Sequence, residues 1–208
     1  MSRNRIPFEE NPTVELSLYT GAFAVPTWNV HKDCVTELGA NLYTPYQTSY
    51  WVGSQLNWGA KLASSRTAVI CQGTQLAGFV GLMDDGCIDQ IAVAPEMSRR
   101  GLGTVLLAWA IREALFDGME EVFTVASPLA RPLFQKLGFI IEKELRMEIH
   151  GTRIKSYSMS LDLLSKCIEQ ADSIESLVPD LDLKINAKPH QKMGFWSRKW
   201  RVTCQNAA

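Results

Sequence analysis

A basic, glycine-containing segment near the middle of the chain has the composition of an anion-binding turn. It runs from residue 90 to residue 104, QIAVAPEMSRRGLGT, and joins an apolar run to an apolar-periodic stretch. Arg99 and Arg100 supply positive charge, while Gly101 and Gly103 allow the backbone to approach a bound group closely. The first N–H groups of a helix have no intrahelical partner and favour negative charge. The segment therefore predicts binding of a phosphorylated ligand, and a plain glycine-rich strand-to-helix turn is the alternative.

The spacing argues against two other phosphate-binding loops. The P-loop requires G-x-x-x-x-G-K-[ST], and the chain has no such string. A dinucleotide fingerprint requires G-x-G-x-x-G, but Leu106 stands three residues after Gly103. That fingerprint also needs an acidic residue at the end of the next strand, whereas the predicted strand at 122–126 is followed by Ser127 and Pro128.

Three sequence blocks, taken together, resemble the GNAT superfamily of acyl-CoA-dependent N-acyltransferases over about residues 5–162. VAPEMSRRGLG resembles the family's pyrophosphate loop, LAGFVGLMDDGCIDQIAV the hairpin before it, and ASPLARPLFQKLGF the block A-x-x-[FL]-[FY]-x-x-x-G-F. The resemblance implies an α/β (α+β) fold with a mixed, mostly antiparallel sheet of about six or seven strands, flanked by about four helices and splayed at its central strands. It also implies transfer of an acetyl group from acetyl-CoA to a primary amine by direct attack in a ternary complex, without a metal. Ser98 stands where the family has Gln or Arg, and Phe134 stands where many members have the tyrosine that protonates the leaving thiolate.

The resemblance also assigns the residues of an acetyl-CoA site. The backbones of Ile91, Ala92 and Val93 pair with the pantetheine arm, and the Val93 N–H stabilises the oxyanion of the tetrahedral intermediate. The pyrophosphate loop comprises Ser98, Arg99, Arg100, Gly101, Leu102, Gly103 and Thr104. The predicted site is completed by Ser127 at the pantetheine, Arg131 at the phosphates or adenosine, and Phe134. The alternatives are a helix start for Ser127, a solvated face for Arg131 and core packing for the apolar side chains.

Asp89 is the leading candidate for the general base, on the strand before the loop. Apolar neighbours would make its carboxylate a better proton acceptor. Strict alternation places it on the same face as Cys87, Ile91 and Val93. A structural carboxylate is the alternative reading, and Glu96 is a second candidate base.

The second predicted helix begins at Thr44-Pro45 and is rich in aromatic residues. Two interpretations are open for the aromatic side chains of this helix and for the tyrosine just before it: a wall for the acceptor amine, or packing on the sheet. These residues are Tyr43, Tyr46, Tyr50, Trp51 and Trp58. Tyr157 on the last predicted strand is the candidate proton donor, because a phenylalanine at position 134 has no proton to give.

Composition limits the classes of protein. The chain has 208 residues and a formal net charge of −1, which argues against a chain-wide nucleic-acid or membrane surface. Its five cysteines are odd in number and lack metal-ligand spacing, so they indicate reduced thiols and a cytoplasmic protein. We expect a small-molecule or peptide amine as the partner, and a homodimer is conceivable.

Residues 1–162 are predicted to form the catalytic domain and residues 163–208 a helical and basic appendage. Within the domain we expect a strand at 3–8, a helix at 11–24, irregular chain at 25–42, a helix at 102–116 and a final hairpin of strands at 139–149 and 153–161. In the appendage we expect a helix at 163–177. The final stretch GFWSRKWRV interleaves aromatic and basic residues. This tail leaves an interaction protein that works through it as one alternative. The phenylalanine at position 134 leaves a catalytically weak acyl-CoA-binding regulatory module as another.

Overall fold

The computed structural model describes residues 13–149 and 151–163 and the backbone of residues 183–185. The first sheet contains β1 (Val14–Leu18), β2 (Arg66–Gln72), β3 (Gln75–Leu82), β4 (Ile88–Val93) and β8 (Leu183–Ile185), in the order β4-β3-β2-β1-β8. The second sheet contains β5 (Glu121–Ala126), β6 (Ile140–Ile149) and β7 (Thr152–Asp162), in the order β5-β7-β6. Within the sheets, strand pairs are antiparallel except for β1 with β8.

Five α-helices accompany these sheets in the described part of the chain. They are α1 (Ala24–Asp33), α2 (Pro45–Val52), α3 (Trp58–Ala63), α4 (Leu102–Phe116) and α5 (Arg131–Lys136). A 3-10 turn (Gly21–Phe23) precedes α1, and a π-helical turn (Cys34–Leu38) follows it. The mixed, mostly antiparallel fold is thereby confirmed. No described helix has the length and apolar character needed to cross a membrane.

The N-terminal region differs from the sequence-based expectation. The predicted helix at 11–24 is wrong, because residues 14–18 form β1, with Val14 and Leu16 buried and Glu15 exposed. This alternation has the period of a strand, and pairing of Leu16 with Ile70 of β2 outweighs the helix-start signal. The expected irregular chain at 25–42 is also wrong, because it contains α1 and the π-helical turn. The predicted strand at 3–8, the predicted helix beyond its first residue (164–177) and the basic aromatic tail lie outside the described residues.

Helix α2 begins where the sequence predicts it. The Thr44 hydroxyl accepts the Gln47 N–H at 3.3 Å, and the Gln47 side-chain oxygen accepts the Thr44 N–H at 2.9 Å. This reciprocal capping box, with Pro45 in the first turn, fixes the helix start. The helix ends at Gly53, whose φ is 66°, so the aromatic stretch forms two helices and not one.

Helix α4 packs across the first sheet and fills the core. Leu106, Leu107 and Trp109 are fully buried there. Gly78 of β3 allows this close packing, because a Cβ at that position would lie 3.1 Å from a Leu106 methyl of α4.

The two sheets meet at the beginning of β4 and β5 and then diverge. Cys87 and Phe123 form an isolated parallel bridge, and the Thr124 hydroxyl donates to the Ile88 carbonyl at 2.8 Å. In the described part of the chain, no further ladder pair joins β4 to β5. The carboxyl-terminal halves of these strands are therefore free to form the two sides of a cleft.

Candidate active site

A cleft of about 950 Å³ opens where β4 and β5 separate. Its sides are β4, the start of α4, the segment 124–134, and a wall formed by the π-helical turn and α2. Most of the residues that the sequence predicts for an acetyl-CoA site meet here. Those that line the cleft are Asp89, Ile91, Ala92, Val93, Ser98, Arg99, Gly101, Leu102, Gly103, Thr104, Ser127, Arg131 and Phe134. Arg100 is exposed and is absent from the lining.

The loop before α4 leaves the helix N-terminus without a side-chain cap. Arg99 and Gly101 adopt positive φ values of 64° and 86°, and Gly101 is the N-cap. The first helical hydrogen bond runs from the Val105 N–H to the Gly101 carbonyl at 3.1 Å. The N–H groups of residues 102–104 precede that bond, and the first turn carries no acidic side chain. Such a terminus favours an anion.

Positive side chains surround this terminus. The Lys136 ammonium donates to the Thr104 hydroxyl at 3.3 Å, and the exposed Arg99 lines the cleft. Lys136 comes from α5. This helix can approach α4 closely because Gly103 has no Cβ, and a Cβ there would lie 3.1 Å from a Leu133 methyl. The sequence analysis missed Lys136, since only the packing of α5 on α4 places it beside the loop.

Arg131 is only partly available to a ligand. Its guanidinium donates to the Tyr157 hydroxyl at 2.9 Å and lies 4.8 Å from the centre of the Tyr157 ring. Tyr157 is buried and does not line the cleft, so its hydroxyl accepts from Arg131 away from the site where a leaving thiolate would form. This placement argues against Tyr157 as the proton donor.

The outer edge of β4 faces the cleft. Because β4 ends the strand order of its sheet, one side of its backbone is open to another extended group. Val93 makes a backbone hydrogen bond to the Cys34 thiol of the π-helical turn. Burial raises the pKa of Cys34, and that hydrogen bond opposes the rise. The Val93 N–H is therefore directed towards Cys34. The sequence analysis did not identify Cys34 as a residue of the cleft.

Asp89 lies at a bulge in β4. Leu82 pairs with Ile88 and Gly81 with Gln90, so Asp89 has no partner of its own on β3. A bulge redirects side chains, and strict alternation along the strand does not hold through it. The Asp89 carboxylate lines the cleft with its side chain 27% exposed and lies 3.3 Å from the Lys61 ammonium. Its surroundings are thus ionic and not purely apolar as expected.

The other acidic candidates do not line the cleft. Glu96 is exposed and accepts the Gln75 side-chain N–H at 2.7 Å. Asp85 accepts the Cys87 N–H at 3.0 Å, as expected of a turn residue. Among the described residues, no three His, Cys, Asp or Glu side chains are grouped as a metal ion would require.

Tyr43 reaches across the cleft to the end of β5. Its hydroxyl accepts the Leu129 N–H at 3.2 Å and is hydrogen-bonded to the Ser127 side chain. Burial raises the pKa of Tyr43, while these two hydrogen bonds act against the rise. Ser127 also accepts the Ala130 N–H at 3.2 Å, which is the helix-start role given above as its alternative. A neutral phenol beside Cys34 and Ser127 is suited to donate a proton, a role that the sequence analysis did not give to Tyr43.

The remaining aromatic residues divide between the cleft and the core. Tyr43 and Trp51 line the cleft with ring centres 6.2 Å apart. Trp58 is buried and packs edge-on against Phe79. Phe134 is 1% exposed and packs edge-on against Phe139 at 5.0 Å, so its ring belongs to the core beneath the cleft. Tyr46 and Tyr50 are absent from the lining.

Comparison with known proteins agrees with this geometry. Residues 43–163 match the family described as the acetyltransferase (GNAT) domain. The chain is 32% identical over 126 residues to the uncharacterized N-acetyltransferase YafP of Escherichia coli K12, across 60% of this chain and 80% of YafP.

Two solved structures share the fold. A GCN5-related N-acetyltransferase from Rhodopseudomonas palustris superposes with a TM-score of 0.68 at 23% identity, covering 73% of this chain and 96% of that one. The PaiA N-acetyltransferase from Thermoplasma acidophilum, in complex with coenzyme A, superposes with a TM-score of 0.57 at 14% identity, covering 72% and 99%. The family match, the YafP relative and the shared fold lead to one assignment: the chain belongs to the GNAT superfamily of N-acetyltransferases and is an acyltransferase.

Proposed function

We propose that this protein transfers an acetyl group from acetyl-CoA to a primary amine by direct attack in a ternary complex. One observation carries the proposal: the uncapped start of α4, with its cations, opens onto the same cleft as the unpaired edge of β4. A ligand with a pyrophosphate at one end and an amide-containing arm leading to a thioester matches both features.

The loop residues hold the donor. The N–H groups of residues 102–104 bind the pyrophosphate, and Arg99 and Lys136 add positive charge. The pantetheine amides pair with the backbone of Ile91 and Val93 on the open edge of β4. The thioester oxygen then takes the place of the Cys34 thiol on the Val93 N–H, which stabilises the oxyanion.

Direct attack is favoured because the cysteine in the cleft is a poor nucleophile. Burial raises the pKa of Cys34, so its thiol stays protonated near neutral pH. The amine instead loses a proton to Asp89 through water and forms the new N–C bond. As the C–S bond breaks, Tyr43 gives its proton to the leaving sulfur and later recovers one from solvent. The hydrogen bonds from Leu129 and Ser127 stabilise the phenolate in the interval.

The role of Tyr43 is tested by Tyr43→Phe, with Tyr46→Phe in the first turn of α2 as the matched control, because Tyr46 does not line the cleft. We expect kcat to fall on the order of 100-fold and the affinity for acetyl-CoA to change little. The normal solvent isotope effect on kcat should disappear with the phenol. A variant that keeps full turnover would refute the proton donation. Weaker acetyl-CoA binding with an intact isotope effect would show that Tyr43 only supports the segment at Leu129.

Calorimetric titration with acetyl-CoA, and with NAD as the control ligand, tests the donor site itself. We expect the native protein to bind acetyl-CoA and not NAD. Gly103→Trp should abolish binding, because its side chain must enter the space between Leu133 and Val93. Gly21→Trp is the matched control, since nothing lies within 4 Å of a Cβ at that position. Failure of the native protein to bind acetyl-CoA would refute the proposal, whereas binding without turnover of any amine would favour the regulatory module.

A further inference from the structure

The two ends of the cleft differ in chemistry. Three cationic side chains, Arg99, Arg131 and Lys136, lie at the α4 end. The opposite wall is built from Val35, Leu38, Leu42 and Trp51 of the π-helical turn, α2 and the chain between them. Leu42 is 53% exposed, so apolar surface is available there for a ligand to cover. The acetyl donor occupies the cationic end, which leaves the apolar wall for the acceptor.

The polar groups within that wall are uncharged near neutral pH. Burial lowers the pKa of His31, and its Nε2 lies 3.1 Å from the Trp51 carbonyl oxygen and 3.2 Å from that of Val52. Burial raises the pKa of both Cys34 and Tyr43, which keeps the thiol and the phenol neutral. The wall therefore offers an acceptor apolar surface and neutral polar groups, without an ionic partner.

One negative charge stands beside this wall. Of the described residues that line the cleft, Asp89 alone carries a carboxylate. It lies 3.3 Å from the Lys61 ammonium, which already balances its charge. The described lining holds no second carboxylate, so any additional ammonium group of an acceptor would face uncharged apolar side chains at a desolvation cost.

We propose that the acceptor is a monoamine whose amino group is carried on an uncharged aromatic or branched aliphatic body. The amino group lies near Asp89, and the body covers Leu42 and Trp51. This inference rests on the proposed function, since it concerns the acceptor in the same acetyl transfer. It excludes polyamines and strongly hydroxylated amines as the preferred substrates.

The test compares three acceptors, 2-phenylethylamine, spermidine and 2-aminoethanol, by thiol release from acetyl-CoA. We expect kcat/KM for 2-phenylethylamine to exceed the other two values by roughly 10- to 100-fold, which is the range expected for burying one aromatic ring. Leu42→Glu should lower kcat/KM for 2-phenylethylamine about 10-fold while the acetyl-CoA dissociation constant stays unchanged. Leu56→Glu is the matched control, because Leu56 is 79% exposed and does not line the cleft.

Several results would overturn the assignment of the acceptor. Spermidine or 2-aminoethanol could prove the best substrate, or Leu42→Glu could leave the selectivity intact. Acetyl-CoA binding with no acetylation of 2-phenylethylamine would count equally against it. A native protein that fails to bind acetyl-CoA would refute the proposed function itself, so the two failures are distinguishable.

Discussion

Arg99 combines a charge that we assign to phosphate binding with a backbone conformation that L-residues rarely adopt. Its φ of 64° lies in the left-handed region, which costs an L-residue about 1–2 kcal/mol. Glycine avoids that cost but loses about 0.5–1 kcal/mol through the greater freedom of the unfolded chain. Arg99→Gly and Arg99→Ala both remove the guanidinium, so their difference reports on the backbone alone. We expect the glycine variant to be the more stable by roughly 0.5–1 kcal/mol, or about 1–4 °C in Tm.

The same two variants measure the charge through ligand affinity. Arg99 is exposed, and a surface ion pair contributes roughly 1 kcal/mol, so both variants should bind acetyl-CoA about fivefold more weakly at low salt. Arg100→Ala serves for comparison, because that side chain does not line the cleft and its loss should change the affinity less than about twofold. Thermal unfolding and calorimetric titration provide the two measurements. Equal Tm values for the two Arg99 variants would refute the left-handed backbone, and unchanged affinity in both would refute the phosphate contact.

Three further predictions concern the base, the cation from α5 and the buried histidine. Asp89→Asn should lower kcat on the order of 100-fold with little change in acetyl-CoA affinity, and full turnover across the pH range would exclude Asp89 as the base. Lys136→Met should weaken acetyl-CoA binding at low salt, and this loss of affinity should be smaller at high salt. Lys143→Met, at an exposed lysine, is the control. Equal losses of affinity in the two variants would contradict a local contact between Lys136 and the ligand. Burial lowers the pKa of His31 below its ordinary value of 6.5. As the pH falls below 6.5, the imidazole is therefore protonated in the unfolded chain before it is protonated in the folded protein, and the free energy of unfolding should decrease. His31→Phe should flatten that dependence in urea unfolding measured at several pH values, and an unchanged slope would assign it to other groups.

The domain boundary, the assembly state and the cellular location stay predictions. The boundary near residue 162 and the homodimer come from the family resemblance, and the cytoplasmic location comes from the cysteine pattern. Residues 183–185 form β8 and pair with β1, so at least this part of the predicted appendage joins the first sheet.

Local patterns in the sequence predicted the elements around the cleft. Helix α4 was predicted at its observed bounds because an apolar-periodic run stands between a glycine-containing loop and Gly118. The hairpin of β6 and β7, and the start of α2 at Thr44, follow from equally local signals. The signal at Asn11 and Pro12 was misleading, because pairing of β1 with β2 depends on residues more than 50 positions away.

The sequence by itself determined the fold class and the family, and it predicted an anion-binding loop, because each depends on residue types at short, fixed spacing. Only the tertiary structure decided which side chains share the cleft. Tyr43 meets Leu129 across 86 positions of sequence, and Lys136 meets Thr104 across 32. The bulge at Asp89 and its ion pair with Lys61 likewise arise from strand register and from the packing of α3. These contacts join segments distant in the chain, so only burial of a common core brings them together, and no local spacing encodes them.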